Sequence, residues 1–134
     1  MPISDVFAQM GAPLKNARWS WGAVRPADGA VVLRVWQDET RGRAFRVTHH
    51  AVFADDLSNL GYQERLVHLR MIRNNPQLAS FMIVCVARDV MAIPRGIREF
   101  NAREVFVGGA LSADDRGDSW LEYVERKSIA NAKR

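Results

Sequence analysis

Cysteine occurs once in the 134 residues, as Cys85 inside an apolar run. One thiol permits no intrachain disulfide, and it excludes a zinc site built on thiolates. Long hydrophobic runs are missing too. The longest, Phe81 to Ala87, is far too short to span a bilayer. The opening MPISDVFAQMGAPLKN has no charged stretch followed by an apolar one, so it does not read as a secretory signal. A reducing cytoplasm is the expected location, with no membrane partner. Phosphate-cradling GxxxxGK[ST] and GxGxxG loops are absent, as are the GxSxG elbow and the HExxH helix. Cys85 in apolar company reads as inert packing. The adjacent acids Asp38-Glu39, Asp55-Asp56 and Asp114-Asp115 diverge on extended chain and form no dyad by spacing. No catalytic residue, metal site or cofactor is therefore assigned.

Lysine is scarce as well: 16 of the 19 basic residues are arginine. Arginine is the better fork for phosphate and the better stacker on flat rings. A GC-rich coding bias would enrich it equally. The net charge of +4 is unevenly spread. Asp114 to Glu125 is acidic, whereas Arg126 to Arg134 holds basic residues and no acid. The chain before them is mildly basic, which suits a polyanionic partner without demanding one.

With 48% apolar and 25% charged residues, the chain reads as one globular domain and not as a disordered one. Residues 1–16 are expected to be an arm broken by Pro2, Gly11 and Pro13, with a short helix from Ser4 to Met10 capped by Ser4. Arg18 to Arg25 alternates, Pro26-Ala27-Asp28-Gly29 is turn chemistry, and Ala30 to Gln37 alternates again. Residues 18–37 thus predict a β-hairpin. Ala44 to His50 predicts a third strand, and Asp55, Asp56 and Ser58 offer helix N-caps. From Leu60 to Asn74 the period becomes helical, with Tyr62, Leu66, Leu69 and Ile72 or Arg73 on one stripe. Ser80 to Ala87 is apolar on both faces, which predicts a central strand. A long connection from Arg88 to Arg103 follows. Then come a strand from Glu104 to Val107 ended by Gly108-Gly109, a turn over Asp114 to Asp118, and a last strand from Ser119 to Glu125. Residues 17–126 form the expected core and 127–134 a mobile basic tail. The order predicts an α+β fold: a curved, mostly antiparallel sheet or small barrel of about six strands with one main helix.

Trp19 and Trp21, two apart on a strand, would project side by side, with Trp36 on the partner strand. Such walls can sandwich a base, with Asp38 reading its edge, although aromatics are more often core. Arg41, Arg43 and Arg46 share the acid-free stretch Thr40 to Ala51, and Arg95, Arg98 and Arg103 lie in the long connection. Arg41, Arg43, Arg95 and Arg98 are the candidate phosphate contacts; a solvated charged surface is the commoner role for such residues. His49, His50 and His68 with Glu64 offer an alternative, a metal-dependent hydrolase or nuclease. A third reading is an interaction or homodimerisation domain built on a sheet edge.

The hairpin NARWSWGAVR…DGAVVLRVWQDE resembles the opening of small bacterial domains found beside HNH-type, restriction-like nucleases. The helix YQERLVHLRMIRN, the apolar strand and PRGIREF are similar in order, and the strand order resembles the PUA-like group, which includes EVE and ASCH domains. The resemblance covers about residues 14–126. It implies a curved barrel holding a flipped or modified base in an aromatic cage, with Trp19, Trp21 and Trp36 near the site. No HNH segment follows, which implies a stand-alone reader of DNA or RNA or one served by a separately encoded nuclease.

Overall fold

The computed structural model describes residues 1–53 and 56–132. In chain order the elements are α1 (Ile3–Gln9), β1 (Gly22–Val24), β2 (Val31–Trp36), β3 (Thr40–Arg41), β4 (Ala44–Arg46), α2 (His50–Phe53), α3 (Leu60–Asn74), β5 (Ser80–Ala87), β6 (Ile97–Phe100), β7 (Glu104–Ala113), β8 (Ser119–Ser128) and α4 (Ile129–Ala132). The class is α+β, as the pattern predicts. The eight strands among the described residues run β1-β2-β5-β7-β8-β4-β3, with β6 extending the pairing along the β7 side of β5. The path ends at β1 and β3, so the sheet is open and not a closed barrel. All pairs are antiparallel except β2–β5, which is parallel. That pair needs a crossover, and α3 lies within the connecting chain.

Alternation along the central strands divides the core. Val32, Phe81 and Ile83 meet Val6 and Phe7 of α1, Met10 just after it, and Ile129 and Ala132 of α4. Val31, Leu33, Val35 and Met82 meet Leu69 and Ile72 of α3, together with Phe45, Val47 and Leu121. β5 is buried along most of its length, as its unbroken apolar run predicts.

Several boundaries differ from the sequence reading. The first strand shrinks to Gly22–Val24, because Ala17 to Trp19 form a turn in which Asn16 Oδ1 accepts from Arg18 N–H at 2.9 Å. The first sixteen residues are no loose arm: Val6, Phe7, Met10 and Ala12 are wholly buried. Helix α1 follows Pro2 with no side-chain cap, so Ser4 does not serve. Nor is the end a loose tail, since β8 continues to Ser128 and α4 buries Ile129 and Ala132; Lys133 and Arg134 lie outside the described residues. The strand count exceeds six because β3 and β6 are short segments without a periodic signature. β7 runs through Gly108-Gly109 with shifts of register. A Cβ at Gly108 would strike Ser80 Oγ and lie 3.1 Å from Leu121 Cδ2, so the glycine permits close approach instead of ending the strand.

Helix α3 matches its predicted span. Its cap is Asn59, whose side chain accepts from Tyr62 N–H at 3.0 Å. Asp56 instead organises the preceding turn, accepting from Ser58 N–H at 3.1 Å; Asp55 lies outside the described residues. The buried stripe is Tyr62, Arg65, His68, Leu69 and Ile72, leaving Leu66 only half-buried.

Candidate functional site

The pairing of β1 with β2 places two indoles together. Arg34 N–H donates to Trp21 O at 3.0 Å, which sets Trp21 opposite Arg34 across the hairpin. Trp36 lies two residues further along β2, on the same face as Arg34. Trp21 and Trp36 border a cavity of about 310 Å³, near the lower end of small-ligand pockets. The Arg34 guanidinium carbon stands 5.5 Å from the centroids of both indoles, within cation–π range. Phe53 packs its edge on Trp21 at 5.1 Å. The opposite wall is the loop Val90 to Arg95, where Met91 and Ile93 are 83% and 69% exposed.

Arg65 reaches this site from α3. It is almost fully buried, and it donates to Val47 O at 2.8 Å, Trp21 O at 2.9 Å and Arg34 O at 2.8 Å. One side chain thereby joins three separate pieces of backbone around the cavity. Burial, then the charge of Arg34, pushes its pKa down to about 9, so it stays cationic at neutral pH. The polar side of the rim centres on Glu39. Its carboxylate accepts from Arg46 Nη1 at 2.7 Å and lies 3.9 Å from both His49 Nδ1 and Arg95 Nη1. Arg95 forks onto Asp38 at 2.7 and 2.9 Å and donates to Val90 O at 2.7 Å, tying the apolar loop to the end of β2.

Comparison with protein-family models, curated proteins and solved structures finds no match. The geometry must therefore be weighed residue by residue. Of the four predicted ligand contacts, Trp21 and Trp36 line the cavity. Trp19 lies in the turn before β1 and does not line it, so the expected pairing of Trp19 with Trp21 on one strand face is corrected. Asp38 stands behind Arg95, outside the lining. Of the candidate phosphate residues, only Arg95 reaches the cavity. Arg41 lies over the Trp120 ring at 4.3 Å and 3.8 Å from Asp114. Arg43 lies over Tyr123 at 4.9 Å, and Arg98 is exposed beside Glu99 at 3.5 Å.

The histidines are not gathered. His49 borders the cavity, His50 packs beside Gly117, and His68 is buried on α3. Glu64 accepts from Ser20 Oγ at 3.2 Å, and burial raises its pKa. Among the described residues no group of three or more His, Cys, Asp or Glu is placed to hold a metal ion. Burial pushes the Cys85 thiol up to about 12, so it is neutral and a poor nucleophile. No helix among the described residues is long and apolar enough to cross a membrane.

Sequence reasoning missed Arg34, Phe53, Arg65 and the loop Val90 to Pro94. Only Arg34 carried a signal: a lone cation on the strand face of Val32 and Trp36, flanked in the chain by Leu33 and Val35.

Proposed function

We propose that this chain is a nucleic-acid-binding module that takes a single unstacked base of DNA or RNA into the Trp21–Trp36 cavity, with no chemistry of its own. The observation that carries this reading is the convergence of two indoles on one open, ring-sized cavity whose remaining walls are largely apolar. Stacking on an aromatic side chain contributes ~1–3 kcal/mol per base and tolerates any flat ring. Extruding a base from a duplex costs a few kcal/mol, so single-stranded or already unpaired targets suit the site best. Exposed Arg41, Arg43 and Arg98 are available to phosphates, while Arg95 holds the mouth in shape. The PUA-like resemblance points to the same use, and a separately encoded nuclease is a partner that such a reader would serve. A metal-dependent hydrolase on His49, His50 and His68 draws no support, since among the described residues these side chains form no group that could hold a metal ion.

The test is titration with single- and double-stranded DNA and RNA, modified and unmodified, at several salt concentrations. Binding should weaken steeply as salt rises. Trp36→Ala should lower affinity by about five- to a hundredfold, the equivalent of one lost stack. Absence of binding to every oligonucleotide at low salt would reject the reading.

A further inference from the structure

Among the described residues four guanidiniums border the cavity, from Arg34, Arg46, Arg65 and Arg95, against the one carboxylate of Glu39. Three of the four have partners. Arg46 donates to Glu39 at 2.7 Å and lies 3.4 Å from Asp118 Oδ2. Arg95 is forked onto Asp38, and Arg65 donates to three carbonyls. Arg34 differs. Among the described residues it makes no side-chain hydrogen bond and no ion pair; its contacts are the two indole faces. Burial lowers its pKa.

An indole face attracts a cation but offers its N–H groups no in-plane lone pair to accept them. A half-buried guanidinium that lines the cavity, with five donors and no protein acceptor among the described residues, has its donors left for what enters there. The complement of that fork is an oxyanion, which takes two parallel N–H bonds. Water could solvate the group at the open mouth, but the surplus positive charge would remain. The indoles beside it set the rest of the ligand: a flat ring stacked on Trp21 or Trp36, with its acidic substituent reaching Arg34.

We infer that the cavity selects a planar aromatic ring that carries an oxyanion, either a carboxylate on the ring or a phosphate on an attached sugar, and that Arg34 is the residue that binds this anion. The inference rests on the proposed function only in that a ring enters the cavity; it does not need the ring to belong to a nucleic acid. A nucleotide phosphate and a ring carboxylate are two sources of the same chemistry.

The experiment is calorimetric titration of the unmodified protein with two matched pairs: adenosine against adenosine 5′-monophosphate, and 2-naphthamide against 2-naphthoate. In at least one pair the anionic member should bind tenfold or more tightly, about 1.4 kcal/mol. That advantage should shrink with salt, vanish in Arg34→Gln and partly survive in Arg34→Lys. Which pair responds identifies the source of the anion. Equal affinity within both pairs, or no binding of any of the four, overturns the inference. The comparison within each pair uses the unmodified protein, so instability of a variant does not blunt it. Oligonucleotide binding without preference for the anionic members would leave the base-reading proposal standing and remove this one. Naphthoate binding without oligonucleotide binding would do the reverse.

Discussion

At the residue scale, the α3 side chains His68 and Glu64 were candidates for metal chemistry; instead His68 is buried and Glu64 is half-buried, accepting from Ser20 Oγ. His68 is 6% exposed, and its Nδ1 is buried with no hydrogen-bond partner. Burial, then the charge of Arg65, pushes its pKa down to about 4 from 6.5. The folded pKa lies below the unfolded value, so the unfolded chain binds the extra proton first. The contribution of His68 is therefore fully present above pH 6.5 and is lost as the pH falls from there through 4. A shift of this size corresponds to roughly 3 to 3.5 kcal/mol. Urea unfolding across that window should show stability falling in the parent protein and a flatter profile in His68→Gln. Parallel profiles would show that His68 is not the titrating group. Arg65 illustrates the same economy of partners: its charge is tolerated inside because three carbonyls accept from it.

At the element scale, the cavity depends on how closely the first turn of α3 approaches the chain before β1. Gly61 is the contact point. A Cβ there would collide with Trp21 Nε1 and with the backbone oxygen of Trp19. Alanine is the better helix former by about 1 kcal/mol, which on propensity alone would make Gly61→Ala stabilising. The backbone oxygen cannot easily yield, so the clash should win, and overpacking of this kind costs about 1–3 kcal/mol. Gly61→Ala should lower the melting temperature, alter tryptophan emission as Trp21 is displaced, and weaken any ligand of the cavity. A stabilised variant with unchanged emission would mean that α3 does not press on the indole.

At the scale of the whole molecule, Arg25 draws the two ends of the chain onto the first hairpin. It is 2% exposed; Nη1 donates to Met10 O at 3.0 Å and to Ala132 O at 2.9 Å, while Nε and Nη2 take Asp28 at 2.9 Å each. Helices α1 and α4 are too short to persist alone and hold through the apolar cluster they share with Val32, Phe81 and Ile83. Phe7, at 0% exposure, is central to that cluster. Phe7→Ala should cost about 3–5 kcal/mol. Because the ends are part of the core, the loss should appear as one shifted cooperative transition. A separate early transition, with the remaining sheet unfolding where it did before, would show that the ends are a detachable layer.

Much of the architecture was legible in local chemistry. Alternation marked β2, an unbroken apolar run marked β5, a period near 3.6 marked α3, and proline, aspartate and glycine marked the turn before Ala30. These signals act between neighbours in the chain, so neighbours suffice to read them. Trp21 and Trp36 were legible as candidates by residue type, but their sharing of one cavity depended on strand register. The same holds for burial of Phe7 and Ile129, for Trp19 falling in a turn, and for the apolar loop ahead of Arg95 closing a wall. By itself the sequence determined the α+β class and the identity of the main elements. Only the tertiary structure decided which arginines found carbonyl or carboxylate partners and that Arg34, among the described residues, did not, because pairing depends on distances between segments that the chain order leaves free.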